Sequence, residues 1–163
     1  MRHPEAQLLI EKLGLLPHPE GGFYRETYRS EHQLEQQDRS LMTSIYFLLT
    51  DTNISRFHRI TADECWYFHA GTPIIVHTLD EKGHHEFILG NDVSKGQLPY
   101  YLVKGGTIFG SSMLGDDGYA LVSCAVAPGF DFRDFELFDT ETLLGQLPQH
   151  EAIIRKMTST ENN

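Results

Sequence analysis

Cysteine is scarce in this chain, which has only Cys65 and Cys124 among its 163 residues. These two cysteines form neither a CxxC redox motif nor the spacing of a structural zinc site, so both are expected to be small buried residues. Long apolar runs are also missing, which argues against a membrane-spanning helix. The N-terminal segment carries acidic residues where a signal peptide would be apolar, and a cytoplasmic location is therefore expected.

Positive charge is in short supply as well. The chain has 13 Lys and Arg residues against 23 Asp and Glu residues, which gives a formal net charge of −10. Proteins that bind a nucleic-acid backbone usually present a basic face, and no cluster of Lys and Arg is present here. Nucleic acid is therefore not an expected partner, although a few converging arginines could still bind a small anionic ligand.

The chain does contain many short β-type runs separated by turn residues. Eight such runs lie between residues 40 and 127, and another begins at Phe23. This spacing predicts an all-β fold, either a barrel or a double-sheet jelly roll. The polar residues 30–40 are predicted to form a loop.

Helices are predicted only near the two ends of the chain. Residues 4–13 place three leucines on one stripe before Gly14, a plausible helix stop. The chain length suits a single domain over residues 1–163. We predict a barrel over about residues 20–138 and a helical tail over residues 139–157.

The segment FHRITADECWYFHAG, which begins at Phe57, carries the first candidate chemistry. On two strands joined by the turn TAD, His58 shares a face with Ile60, and Glu64 shares a face with Trp66. If His58 and Glu64 point into the same barrel, they form an acid/base pair whose pKa values shift each other. A buried His–Glu hydrogen bond that only fixes two strands is the alternative.

This spacing resembles the first motif of the cupin superfamily, whose members are small jelly-roll barrels that hold a ligand or a metal. His58, Glu64 and Gly71 match the motif, whereas Ile60 stands where a second histidine is expected. In the second motif, VKGGTIFGSS, Phe109 stands at the histidine position. Two of the four ligands used by metal-binding cupins are thus replaced by apolar residues.

Those replacements argue against a bound metal ion. One histidine and one glutamate form a weak site, because divalent metals of the first transition row need three or more protein ligands. His77 could supply a third ligand only if its strand has the right phase, and the run PIIVHTL leaves that phase open. We therefore expect no metal and no other cofactor.

A closer resemblance extends over about residues 9–156. Its segments, in chain order, are LGLLPHPEGGFYRETYRS, TSIYFLL, FHRITADECWYFHAGTPI and VAPGFDFRDFEL. They resemble the cupin 5 family, also called the DUF985 group. The resemblance implies a cupin double-stranded β-helix with a short N-terminal helix and C-terminal helices. It also implies a homodimer and a cavity similar to that of cupins that epimerise nucleotide sugars.

The segment PHPEGGFYRE is rich in turn formers and supplies further candidates for the cavity. Glu20, Tyr24 and Arg25 offer a carboxylate, a phenol and a guanidinium within six residues. Tyr24 could donate a proton, and Arg25 could hold a carboxylate, a phosphate or a sugar oxygen. A shaped turn with solvated side chains remains the alternative.

Further side chains are candidates for the cavity wall. Trp66 and Phe109 are suited to make the cavity poor in water. Tyr46 either reaches the cavity or caps a loop. His77 reaches the cavity only if its strand has the right phase. His84 and its neighbour His85 follow a turn and are expected to be exposed, without a role.

The preferred interpretation is a metal-independent cupin that binds a small polar metabolite resembling a sugar or a sugar phosphate. His58 would take a proton next to a carbonyl, Glu64 would orient His58, and Tyr24 or Tyr46 would stabilise the enolate oxygen. The product would be an epimer, an isomer or a dehydrated sugar. The alternative is a non-catalytic protein that binds such a ligand, and a metal-dependent cupin enzyme is the least favoured.

Overall fold

The computed structural model describes residues 3–160. Its first element is helix α1, Pro4–Leu13, which ends at Gly14 with a left-handed φ of 63°. This helix agrees with the one predicted from the leucine stripe. Helix α2, Thr140–Gln146, and helix α3, Glu151–Thr158, follow the last strand.

Between α1 and α2 the described residues form thirteen strands. They are β1 (Leu16–Pro17), β2 (Phe23–Arg29), β3 (Gln33–Leu34), β4 (Arg39–Ser40), β5 (Thr43–Thr50), β6 (Ser55–Arg59), β7 (Asp63–Gly71), β8 (Ile74–Asp80), β9 (Gly83–Leu89), β10 (Tyr100–Val103), β11 (Ile108–Met113), β12 (Tyr119–Ala127) and β13 (Glu136–Leu137). Strands β5 to β12 are the eight predicted runs. The predicted loop over residues 30–40 instead contains the β3–β4 hairpin, whose two-residue strands are too short to show an alternating pattern.

Most of the strands form two facing sheets. The larger sheet has the order β1-β2-β5-β12-β7-β10, and the smaller has the order β13-β6-β11-β8-β9, with antiparallel pairing in both. From β5 to β8 the chain switches sheet at every strand. This arrangement is a double-sheet jelly roll, as the spacing of the runs predicted.

The main core lies between the sheets. Phe47, Trp66 and Val122 enter it from the larger sheet, and Val76 and Phe109 enter it from the smaller. Because β6 and β7 are consecutive but belong to different sheets, side chains on their inner faces meet across the interior. This switch places His58 and Glu64 on facing walls.

The helices cover the outer faces of the two sheets. Phe57 and Leu79 on the smaller sheet pack against Leu143 of α2 and Ile154 of α3. Helix α1 packs against the larger sheet through Ala6. No helix within residues 3–160 combines the length and the apolar character needed to cross a membrane.

Candidate active site in the barrel cavity

One end of the barrel encloses a cavity of about 440 Å³, within the usual range of small-molecule sites. The turn between β1 and β2 and the side chains of Phe130, Phe132 and Phe135 form part of its wall. Its polar wall residues are His18, Glu20, Tyr24, Arg25, Glu26, Arg29, Thr43, His58, Glu64 and Asp131. Most of the remaining wall is apolar and includes Ile60 and Trp66, so charges inside are poorly screened.

The centre of the site is the close pair formed by Glu20 and His58. The Nε2 atom of His58 lies 3.1 Å from Oε2 of Glu20, and both side chains are buried. The other ring nitrogen, Nδ1, lies 2.7 Å from the Arg56 carbonyl oxygen, to which it can only donate. The hydroxyl of Ser55 donates to Oε1 of Glu20 at 2.7 Å.

Two glycines shape the turn that brings Glu20 to β6. Gly21 and Gly22 have φ values of 113° and 74°, which side-chain-bearing residues rarely adopt. A Cβ atom on Gly22 would lie 2.8 Å from a methyl group of Leu49. The Arg56 amide donates to the Glu20 carbonyl oxygen at 2.8 Å and so fixes the turn against β6.

Burial sets the protonation of this pair. It lowers the pKa of His58 to about 4 and raises the pKa of Glu20. His58 is therefore neutral at pH 7, with its proton on Nδ1 and a lone pair on Nε2. Burial favours the protonated form of Glu20, whose Oε2 atom faces that lone pair.

Glu64 lies on the same cavity but does not pair with His58. The pKa of Glu64 is raised to about 8, chiefly by burial and further by the Glu20 carboxyl, while a hydrogen bond from the Cys124 thiol opposes the shift. The sequence predicts that His58 pairs with Glu64, but the carboxyl group beside His58 is that of Glu20. The sequence could not place the β1–β2 turn, which inserts Glu20 beside β6.

His18 is a site residue that the sequence reading did not select. Its Nδ1 accepts a hydrogen bond from the Glu20 backbone amide at 3.2 Å, and its ring packs edge-on against Tyr24 at 4.4 Å. Burial lowers the pKa of His18. Its position two residues before Glu20, between two prolines, was the available signal.

Three of the other predicted residues also lie on the cavity wall. Tyr24, Arg25 and Trp66 all line it. The Arg25 guanidinium donates to the Leu13 carbonyl oxygen at 3.0 Å, which ties it to the end of α1. The Trp66 indole N–H is buried without a hydrogen-bond partner in the described part of the chain, and its ring meets Phe47 edge-on.

Tyr46, His77 and Phe109 do not line the cavity. Tyr46 belongs to the cluster under α1, on the outer face of the larger sheet. His77 points outward from β8, since the inner positions of that strand are Ile74 and Val76. Phe109 packs against His58, with the centroids of the two rings 4.2 Å apart.

The cavity wall carries two imidazoles and two carboxyl groups, those of His18, His58, Glu20 and Glu64, but it lacks the further histidines of the metal-binding cupin motifs. Ile60 lines its wall, and Phe109 packs on His58 where further histidines would be needed. Within residues 3–160, the groups of three His, Cys, Asp or Glu side chains whose donor atoms converge are found elsewhere. Among the described residues, the donor atoms on the cavity wall thus do not form the converging set that a divalent transition metal needs.

A jelly-roll barrel of two facing sheets with a polar interior cavity places this chain in the cupin superfamily. The family model described as Cupin superfamily (DUF985) matches residues 7–138, and the chain belongs to that family. The resemblance seen in the four sequence segments is thus confirmed.

Three proteins from different organisms are similar to this chain over most of its length. Protein SO0799 from Shewanella oneidensis is 46% identical, with a TM-score of 0.89 over 98% of this chain and 99% of that chain. A hypothetical protein from Leishmania major is 42% identical, with a TM-score of 0.87 over 94% of this chain and 98% of that chain. Uncharacterized protein YML079W from Saccharomyces cerevisiae is 31% identical over 159 residues, which cover 86% of this chain and 79% of that protein. None of these names states an activity, so the function has to be argued from the site.

The raised pKa of Glu64 predicts a pH-dependent cost to stability. The folded pKa of about 8 lies above the ordinary value of 4.5, so the folded state binds more protons than the unfolded state between these values. The wild type should therefore lose stability as pH rises from 4.5 to 8, and Glu64→Gln should lack this loss. Urea unfolding at pH 5, 6.5 and 8 should show that the free energy of unfolding of the variant rises, relative to that of the wild type, by on the order of 1 kcal/mol per pH unit. A stability difference that stays constant with pH would contradict the buried, protonated Glu64.

Proposed function

We propose that this chain binds a small polar metabolite of the sugar or sugar-phosphate type in the barrel cavity and acts on it as a metal-independent epimerase or isomerase. The observation that carries the proposal is the buried Glu20–His58 pair on the cavity wall. Ionisable groups with pKa values shifted by burial cluster at functional sites. Glu64 and Tyr24 line the same cavity, so acid, base and hydrogen-bond donor are close together.

The cavity wall suits a polyhydroxylated ligand. Carboxyl groups, imidazoles and a phenol can exchange hydrogen bonds with several hydroxyls, while aromatic rings can cover the apolar face of a sugar. Arg25 and Arg29 also line the cavity and are suited to an anionic group. Arg29 is held by two hydrogen bonds to Glu26, of 2.9 and 2.8 Å.

The geometry changes which residue takes the substrate proton. Both ring nitrogens of His58 are engaged, Nδ1 with the Arg56 carbonyl and Nε2 with Glu20. We therefore assign the base to the carboxylate form of Glu20, which accepts a hydrogen bond from the Ser55 hydroxyl. That carboxylate removes the proton from the carbon next to the ligand carbonyl. His58 is the positioning residue that lies against the Glu20 carboxyl.

The enolate oxygen formed in this step needs hydrogen-bond donors. Glu64 is protonated at pH 7 because its pKa is raised to about 8, and it donates to this oxygen. Tyr24 is a second donor on the same wall. Return of the proton from Glu20 to the former carbonyl carbon gives an isomer, whereas an epimer requires a second acid, the role we assign to Tyr24, on the opposite face of the same carbon.

A second candidate function is ligand binding without catalysis. It is favoured by the surroundings of His58, whose Nδ1 is bound to the Arg56 carbonyl and whose Nε2 faces Glu20 rather than the open cavity. In that case Glu20, Glu64 and Arg25 would serve as contacts alone. Homodimer formation and a cytoplasmic location stay predictions from the sequence.

Solvent-deuterium exchange separates the two candidates. The untagged protein is incubated in D₂O with fructose 6-phosphate, ribulose 5-phosphate or dihydroxyacetone phosphate, and the carbon-bound deuterium is measured by NMR. An enzyme should incorporate deuterium next to the carbonyl of at least one compound. If a compound protects the protein against unfolding but gains no deuterium, the protein is a binder. If none of the three compounds protects the protein against unfolding or gains deuterium, the proposal of a sugar-phosphate site is contradicted.

A further inference from the structure

A second cluster of chemistry-bearing side chains lies outside the barrel cavity, on the ladder between β8 and β9. His77 of β8 is the direct register partner of Glu86, while His84 precedes Glu86 by two residues on β9. Residues two apart on a strand share a face, so all three side chains project from the same face of the smaller sheet. His84 is thus not a simple exposed residue, as the sequence suggested, because its ring stacks on His77.

The donor atoms of the three side chains converge on one point. Nδ1 of His77 lies 3.0 Å from Nε2 of His84 and 3.6 Å from Oε1 of Glu86, and the last two atoms are 3.8 Å apart. The centre of this triangle is about 2.0 Å from each atom, which matches the lengths of zinc–nitrogen and zinc–oxygen bonds. If the two histidines only hydrogen-bonded to each other, nothing would require Oε1 of Glu86 to lie within 3.8 Å of both nitrogens.

A neighbouring hydroxyl holds the buried histidine in the required orientation. Nε2 of His77 lies 2.9 Å from the Ser112 hydroxyl, and His77 has no exposed surface. With its proton on Nε2, His77 keeps the Nδ1 lone pair directed at His84 and Glu86. Metal-binding histidines commonly use their second nitrogen in this way.

From this geometry we propose that His77, His84 and Glu86 bind one Zn²⁺ ion on the outer face of the barrel. Two imidazoles and one carboxylate form a donor set that zinc accepts, and a water molecule completes four-coordination. The ion would fasten edge strand β9 to β8. Lys156 of α3 is close enough to lower the pKa of both histidines, so its positive charge opposes the ion.

Isothermal titration of the untagged protein with zinc chloride tests the site. The wild type should bind one ion, and its melting temperature should rise by about 5 °C at saturating zinc. Glu86→Gln and His84→Ala should each weaken binding at least about tenfold, since each removes one ligand. Both positions are partly exposed, so these variants are expected to fold, which circular dichroism checks.

Three further variants make the result specific. His85→Ala removes the neighbouring histidine, whose position on β9 faces the other way, and should bind like the wild type. His58→Ala should also retain zinc, because His58 lies in the barrel cavity. Lys156→Ala should bind zinc more tightly. No binding by the wild type, or binding that is lost in His58→Ala and kept in His84→Ala, would overturn the proposal.

Discussion

Replacing Glu20 by glutamine is expected to slow deuterium exchange into an active ketose phosphate by at least about 100-fold. Glutamine keeps the size of the side chain and can still accept the Ser55 hydroxyl and donate to Nε2 of His58. It cannot become a carboxylate, however, so it cannot remove a proton from the ligand. The exchange rate is measured by NMR at pH 7 under saturating ligand.

The matched control is Glu26→Gln. Glu26 also lines the cavity, but it is partly exposed and pairs with Arg29. The control should exchange at close to the wild-type rate, and ligand protection against unfolding should persist in both variants. Undiminished exchange by Glu20→Gln would remove Glu20 as the base and return His58 or Glu64 to that role.

Replacing Gly22 by alanine is expected to lower the free energy of unfolding by on the order of 3 kcal/mol. Two effects add here. The φ of 74° strains any residue with a side chain, and the new Cβ atom would lie 2.9 Å from the Leu48 carbonyl oxygen and 2.8 Å from a Leu49 methyl group. Because the turn carries Glu20, the variant should also lose deuterium exchange. Urea unfolding measures the first effect.

Gly106→Ala is the control for strain without a clash. Gly106 has a similar φ of 82°, but nothing lies within 4 Å of its added Cβ atom. It should lose on the order of 1 kcal/mol, the cost of the backbone conformation alone. Equal losses in the two variants would mean that the turn can relax away from β5, and that the position of Glu20 is not rigid.

The fold could be predicted because its signals are local. Alternating apolar residues and turn formers mark each strand from β5 to β12, and the leucine stripe before Gly14 marks α1. The motif around His58 and Glu64 then selects the cupin arrangement. The β3–β4 hairpin was missed because a two-residue ladder leaves no periodic pattern in the sequence.

The site could be predicted only in part, because pairing across the barrel is not local. Period-two alternation correctly placed Glu64 and Trp66 on one face of β7. It could not say which face of β5 or β8 is inner, so Tyr46 and His77 stay open candidates in the sequence for a cavity that they do not line. Nor could it show that the β1–β2 turn places Glu20, rather than Glu64, against His58.

The most direct test of the account is a crystal structure of the protein soaked with the ketose phosphate that exchanges deuterium. We predict that the sugar lies in the barrel cavity, with the carbon next to its carbonyl facing the Glu20 carboxyl. Its carbonyl oxygen should be within hydrogen-bond distance of Glu64 or Tyr24. A ligand bound outside the barrel, or a cavity closed by side chains around Glu20 and His58, would contradict the account.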